Sequence, residues 1–343
     1  MSNFKILVFG AGSVGAHHTN AARYLNANVY ITDINNQQLD YFKSKLYPGR
    51  YGKWDKKIEI IKYENVFKKK IKYDLIILGI SPYNHLKILK KCIIKLTFKK
   101  ILVEKPLFVF NQKIQKKYFL KHKKKIFCGF NHEISKSILF VKKFVKRKKN
   151  ISSIIITWKE SFKHLLKAHP WVKNLEHTYL SDIRIGGGVL HEFSHAVHLT
   201  NTLKNLSWKN SKLKFKSKIF YKKNNKKKYD YISKIFFKNK NLFIKTHIDG
   251  ISSIPEKKIM IKTENEKLIW ERISDKKIER VKIYKKNKIY ENKIYKVTRP
   301  LDFISQMKVL LSNKKNDIAN IKCNNFVNSL ITTNLIKKCI KNS

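Results

Sequence analysis

Phe4-Lys5-Ile6-Leu7-Val8-Phe9-Gly10-Ala11-Gly12-Ser13-Val14-Gly15 runs from an apolar strand through a glycine-rich turn into the start of a helix. The G-x-G-x-x-G pattern therefore has the strand-before, helix-after context that gives it meaning. Gly10 permits the tight turn, Gly12 lets backbone N–H groups approach a pyrophosphate, and Gly15 lets helix and sheet pack closely. Ser13 and Val14 lie in the helix's first turn, where unpaired N–H groups and a positive partial charge favour phosphate. Asp33 closes the next apolar run, Val29-Tyr30-Ile31-Thr32, at the distance expected of an acid that binds ribose hydroxyls. A carboxylate there repels a 2′-phosphate and no arginine follows it directly, so NAD(H) is expected rather than NADP(H).

Outward from this motif, short apolar runs alternate with helical patterns. Strands are expected at Lys5–Phe9, Asn28–Thr32, Ile58–Lys62, Leu75–Leu78, Lys100–Val103 and Lys125–Cys128. Helices are expected between them, around Val14–Leu25, Gln37–Lys45, Asn84–Leu96 and Gln112–Lys121. That alternation predicts a doubly wound parallel sheet of the Rossmann type over residues 1–130. A helix at Ser135–Val145 leads into residues 131–343, where the pattern changes. Ile151–Trp158, Leu213–Tyr221, Tyr231–Phe237, Leu242–Ile248, Lys258–Thr263 and Glu266–Trp270 read as strands in sequence-adjacent pairs. They predict an α+β domain with a large, mostly antiparallel open sheet, with Lys222–Lys228 as a hairpin loop. From Leu301 onward the chain reads as helical, with helices that return toward the first domain.

The chain has 343 residues, enough for two domains that each bury a core. Its apolar runs fall short of the ~18 residues of a membrane span, and its N-terminus continues a folded motif rather than a cleavage site. Cys92, Cys128, Cys323 and Cys339 form no C-x-x-C pair and are expected as reduced, buried thiols. A cytoplasmic protein without a membrane partner is the resulting expectation. The net charge of +53 raises the alternative of a nucleic-acid partner. Residues 1–66 carry nine basic and five acidic side chains, a net of only +4. Downstream the surplus is scattered over short runs such as Lys68–Lys70, Lys123–Lys125 and Lys226–Lys228, with no nucleic-acid-binding motif. Abundant Lys, Ile, Asn, Phe and Tyr with scarce Gly and Pro point to compositional drift.

Two further stretches carry chemistry. Ile101-Leu102-Val103-Glu104-Lys105-Pro106 is a strand that ends in a glutamate, a lysine and a proline. Ligands bind beyond the carboxyl ends of parallel strands, so Lys105 is placed to reach a substrate lying over a cofactor. The neighbouring strand ends Leu78-Gly79-Ile80-Ser81-Pro82-Tyr83-Asn84-His85; Ser81 and Pro82 turn the chain across the cofactor, and His85 either contacts it or caps the helix it begins. The second stretch is Gly186-Gly187-Gly188-Val189-Leu190-His191-Glu192-Phe193-Ser194-His195. The glycine triplet is read as bringing backbone close to a substrate. A helix after it puts Glu192 and His195 on one face as a carboxylate–imidazole pair for acid–base work. The same residues match H-E-x-x-H, a zinc-hydrolase pattern with His191 and His195 as ligands. No glutamate follows Glu192 until Glu256, so a third ligand is missing and no metal is expected.

Together, these motifs resemble the glucose–fructose oxidoreductase / inositol dehydrogenase / rhizopine catabolism (Gfo/Idh/MocA) family of NAD(P)-dependent sugar oxidoreductases. The likeness runs through nearly the whole chain: the glycine loop, Gly79 to His85, Glu104-Lys105-Pro106, Gly129-Phe130-Asn131, the glycine triplet with Leu-x-Glu-x-Ser-His, and the late strand pair around Lys257–Trp270. It implies hydride transfer between nicotinamide and a hydroxyl-bearing carbon of a sugar, nucleotide-sugar or cyclic polyol, in a homo-oligomer. Lys105 would then bond the reacting oxygen and His195 would be the acid/base, with Glu192 where many relatives carry aspartate. Glu104 and Asn131 would line the nicotinamide side, and Trp171 and Tyr179 would shape the sugar pocket. Glu133 stands where relatives usually carry arginine, and His191 replaces an apolar residue, adding a polar group to the pocket. The rival readings are the zinc hydrolase and a non-catalytic nucleotide- or nucleic-acid-binding protein.

Overall fold

The computed structural model describes residues 4–167, 174–208, 212–224, 226–298 and 300–342. Its first elements are β1 (Lys5–Phe9), α1 (Ser13–Tyr24), β2 (Asn28–Thr32), α2 (Asn36–Tyr41), α3 (Tyr47–Tyr51), β3 (Ile58–Ile60) and α4 (Tyr63–Val66). A π-helical stretch, Phe42–Leu46, joins α2 to α3. Next come β4 (Lys72–Leu78), α5 (His85–Lys95), β5 (Thr97–Val103), α6 (Lys116–Lys121), β6 (Ile126–Cys128), α7 (Lys136–Arg147) and β7 (Ile151–Lys159). They are followed by α8 (Phe162–Lys167), α9 (Val189–Glu192), α10 (Ser194–Ser207), β8 (Lys214–Asn224), β9 (Lys227–Lys238), β10 (Phe243–Asp249) and β11 (Glu256–Thr263). The chain ends with β12 (Glu266–Ile273), β13 (Ile278–Lys285), β14 (Lys288–Lys296), α11 (Leu301–Leu311), α12 (Lys315–Ile321) and α13 (Phe326–Lys341).

Two compact units share the chain. The first takes Met1–Phe108, Lys113–Ile134 and Arg299–Ser329; the second takes Val109–Gln112, Ser135–Thr298 and Leu330–Ser343. The first unit is an α/β fold around a six-stranded parallel sheet of order β3-β2-β1-β4-β5-β6. Its central strands are apolar almost without interruption because a parallel sheet is covered on both faces. Phe9 is in register with Thr32 on one side and Leu78 on the other. Gly10, Asp33 and Gly79 consequently leave the sheet side by side. The strand order reverses between β1 and β4, which makes this edge the switch point where such sheets bind ligands. Ile6, Val8, Val29, Ile31, Leu75 and Ile77 build the core together with Phe303, Ile304, Met307 and Leu310 of α11. Phe303 stacks on His17 and meets His18 edge-on, each at 4.9 Å between centroids.

The second unit is α+β, with an eight-stranded sheet of order β14-β13-β12-β11-β7-β10-β9-β8. Every pairing is antiparallel except β7 with β10. On its inner face Ile154, Ile156, Trp158, Ile244, Ile259, Ile261 and Trp270 pack with residues of α7 and α10, such as Val141 and Val197. The outer face alternates with them and shows half-buried Ile155, Phe236, Met260 and Ile269. The sequence pattern stops short of β13 and β14. In β14 the inward residues are Glu291, Lys293 and Tyr295, so this edge strand lacks the apolar alternation that marks a strand. Strands β8 and β9 also run on into the stretch expected as a loop at Lys222–Lys228.

Candidate functional site

At the glycine loop, Gly10 has a φ of +101°, and a Cβ there would lie 2.4 Å from the carbonyl oxygen of Gly79. At Gly15 a Cβ would lie 1.9 Å from the Gly10 oxygen, whereas at Gly12 nothing stands within 4 Å. Two glycines thus close the turn, and the third leaves open space for a ligand. Gly12 borders a cavity of about 370 Å³ whose walls include Asp33, Gln38, Tyr63, Ser81 and Lys87. The Asp33 carboxylate accepts from the Ala11 N–H at 2.8 Å and the Asn35 N–H at 3.0 Å. Each of its oxygens retains a lone pair for a hydroxyl. Gln38 donates to the Ala11 carbonyl at 2.7 Å, fixing the loop from the other side. Gln38, Tyr63 and Lys87 carried no sequence signal, because they reach the cavity from three separate helices or turns.

Beyond β5, Lys105 is half-buried and its bond to Pro106 is cis. Glu104, 9 % exposed, accepts from His18 Nε2 at 2.7 Å and from the Lys105 N–H at 3.2 Å. Burial pushes its carboxyl up, but the His18 hydrogen bond and the His18 and Lys105 charges outweigh it and hold the group below the usual range. A Cβ on Gly129 would come within 2.6 Å of the Glu104 oxygens, so glycine is required there for packing. His85 is fully buried, with Nδ1 2.9 Å from the Pro106 oxygen and Nε2 3.0 Å from the Ile80 oxygen. Burial lowers its pKa while the two carbonyls oppose that push, and in its neutral form the ring has one N–H to donate, to either the Pro106 or the Ile80 oxygen. Pro82 is buried and Ser81 is exposed at the cavity. Asn131 donates to Asp302 at 3.2 Å, and Glu133 is buried.

The remaining candidates belong to the second unit. The glycine triplet makes room for its own chain. A Cβ on Gly187 would lie 2.4 Å from the Tyr179 oxygen, and one on Gly188 would lie 1.8 Å from Asp230 Oδ1. Asp230, fully buried, accepts from the Leu190 N–H at 2.9 Å and the Ser233 hydroxyl at 3.0 Å. It thereby holds the start of α9, and burial raises its pKa to about 6. Nothing in the lysine-rich hairpin around Asp230 marked it from sequence. The expected single helix is broken: α9 ends at Glu192, Phe193 adopts φ −96° and ψ 33°, and α10 begins at Ser194. Glu192 accepts from the Tyr179 hydroxyl at 2.7 Å. Desolvation and the Glu192 charge raise the tyrosine pKa, although the ring stays 37 % exposed and water screens part of that push. His195 is half-buried and stacked 6.1 Å from Trp158. His191 is fully buried, with Nδ1 3.0 Å from the Gly187 oxygen and Nε2 accepting from the Phe110 N–H at 3.4 Å. Burial takes its pKa down to about 4. Trp171 lies outside the described residues. Among the described residues no group of three or more His, Cys, Asp or Glu is placed to hold a metal ion. No helix among them is long and apolar enough to cross a membrane.

Residues 1–81 match the family model described as alanine dehydrogenase/PNT, C-terminal domain. No curated protein matches the chain. Among solved structures, levoglucosan dehydrogenase in complex with NADH and L-sorbose superposes with a TM-score of 0.74 at 11% identity, over 100% of this chain and 97% of its own. KijD10, a 3-ketoreductase from Actinomadura kijaniata in complex with NADP and TDP-benzene, gives 0.70 at 10% identity, over 99% and 98%. A myo-inositol dehydrogenase from Corynebacterium glutamicum gives 0.69 at 13% identity, over 100% and 97%. These neighbours are of the glucose–fructose oxidoreductase / inositol dehydrogenase type that the sequence resembles. At such identities the likeness is one of fold, and the chain shares the two-domain architecture of these sugar and inositol dehydrogenases and reductases.

Proposed function

We propose that the chain is an NAD(H)-dependent oxidoreductase acting on a hydroxyl-bearing carbon of a sugar, nucleotide-sugar or cyclic polyol. The observation that carries this reading is the edge of the parallel sheet. There an open Gly12, a cavity lined by Asp33, and Lys105 two residues past β5 belong to one unit. Asp33 would take the ribose hydroxyls, and the first turn of α1 would take the diphosphate. When bound, the nicotinamide ring supplies the hydride donor or acceptor. Lys105 Nζ donates to the substrate oxygen and offsets the charge that develops on it. His195 takes the hydroxyl proton in oxidation and returns it in reduction. Tyr179 fixes the carboxylate of Glu192, which in turn supports the charge that His195 gains. Asp33 favours NAD(H), since a 2′-phosphate would meet its negative charge. The apolar residues on the outer sheet face favour a homo-oligomer, which sedimentation velocity reads directly.

The test is a fluorescence titration with NADH and NADPH, followed by turnover on a panel of sugars and cyclitols. Wild-type protein should bind NADH more tightly, and Asp33→Ala should reduce that preference. Lys105→Ala should lower kcat by about a hundredfold or more while leaving NADH affinity within about twofold. His195→Ala should cost about as much. Undiminished turnover of Lys105→Ala removes it from the mechanism, and a protein that binds neither nucleotide ends the reading.

A further inference from the structure

Between α2 and β3 the chain lays an arginine on the glycine loop. Phe42, Leu46 and Tyr47 are buried in the core of the first unit, and Trp54 packs 5.6 Å from Tyr47. These rings anchor a short segment whose next residues grip α1 at two points one turn apart. Arg50 Nη1 donates to the Ser13 hydroxyl at 2.8 Å and to the Ser13 carbonyl at 3.3 Å. The Tyr51 hydroxyl is hydrogen-bonded to His17 Nδ1. Arg23, Arg184, Arg272 and Arg280 each pair with a carboxylate. Among the described residues no carboxylate pairs with Arg50, whose bonds go to the neutral Ser13.

The chemistry of that contact points outward. A guanidinium has five N–H donors, and Nη1 alone serves Ser13. A serine hydroxyl that accepts a charged hydrogen bond keeps its own proton to donate and becomes a stronger donor. The residue before Ser13 is Gly12, which borders the cavity and has open space over its Cα. A dinucleotide whose adenosine fills that cavity must carry its two phosphates across Gly12 and Ser13. Planar, fixed-charge guanidinium groups are well suited to phosphate oxygens.

We propose that Arg50 is a diphosphate contact of this nucleotide site, acting both directly and through the Ser13 hydroxyl. The inference rests on the nucleotide-binding reading above and assigns the diphosphate recognition to a segment outside the glycine motif. Adenosine, which lacks phosphate, should not sense Arg50.

The experiment compares wild type, Arg50→Gln and Arg50→Lys by calorimetric titration with NADH and with adenosine. Arg50→Gln should weaken NADH binding about tenfold or more, as expected for loss of a charge-assisted hydrogen bond. It should leave adenosine affinity within about twofold and flatten the salt dependence of NADH binding. Arg50→Lys, which keeps the charge but not the fork, should fall between the two and serves if the glutamine variant does not fold. Equal NADH affinity in wild type and both variants overturns the proposal. Equal losses for NADH and adenosine also overturn it, since they mean that Arg50 only shapes the loop. A wild type that binds no NADH instead defeats the underlying nucleotide reading, and this proposal with it.

Discussion

At the scale of single residues, the second unit holds two buried titratable groups within one turn of α9, and they oppose each other. Burial raises Asp230 to about 6 and lowers His191 to about 4. The folded state holds the Asp230 proton more tightly than the unfolded chain does. That group therefore favours folding below about pH 4, and its advantage is lost as pH rises through 6. His191 has the reverse slope: it favours folding above about pH 6.5, and that advantage is lost as pH falls toward 4. The difference between wild type and Asp230→Asn isolates one of them. Asp230→Asn should gain stability relative to wild type by about 2 kcal/mol between pH 4 and pH 7, read from urea midpoints at each pH. A pH-independent difference would mean that Asp230 titrates normally. Sequence could not have located this residue, because its importance comes from the Gly188 backbone pressed against it. The triplet was visible; what fills the space it leaves was not.

At the scale of elements, legibility followed the environment of each strand. β1 and β2 were expected at Lys5–Phe9 and Asn28–Thr32 and occur there, because apolar runs bounded by glycine and aspartate have sharp edges. The first residues of β4 and β5, Lys72–Asp74 and Thr97–Lys99, escaped the pattern since Lys72, Thr97 and Lys99 are exposed and Asp74 interrupts the apolar run, although Tyr73 is fully buried. The break at Phe193 was hidden because helix periodicity does not register a single residue leaving the helical region. The docking of α11 depends on one ring. Phe303, 6 % exposed between His17 and His18, joins α11 to the helix that begins at the glycine loop. Phe303→Ala should cost about 3 kcal/mol or more, visible as a lower denaturation midpoint and as faster tryptic cleavage at Lys308 and Lys314. A cost below about 1 kcal/mol would mean that α11 is held mainly by Ile304, Met307 and Leu310.

At the scale of the whole molecule, the charge is the most unusual quantity, and its arrangement says more than its size. The acidic residues are used as local partners: Glu160 with Lys257, Glu256 with Lys159, Glu271 with Arg280. Even the lysine-lined groove of about 670 Å³ around Lys285 and Lys288 contains Glu264 and Glu266, and Glu266 pairs with Lys148. Exposed pairs of this kind contribute at most about 1 kcal/mol each. Polynucleotide binding should therefore be diffuse: a labelled duplex bound at about 20 mM salt should be released by about 150 mM, by fluorescence anisotropy. Retention at the higher salt would call for a dedicated site. A different consequence follows from the way the first unit is threaded. Its core includes Phe303, Ile304, Met307 and Leu310, which leave the ribosome nearly three hundred residues after the glycine loop. During synthesis the first unit must wait, with one flank of its leading helix uncovered, until α11 has been made. A premature stop after the last strand would yield no free-standing half-protein, only a nascent chain for chaperones or proteases to claim.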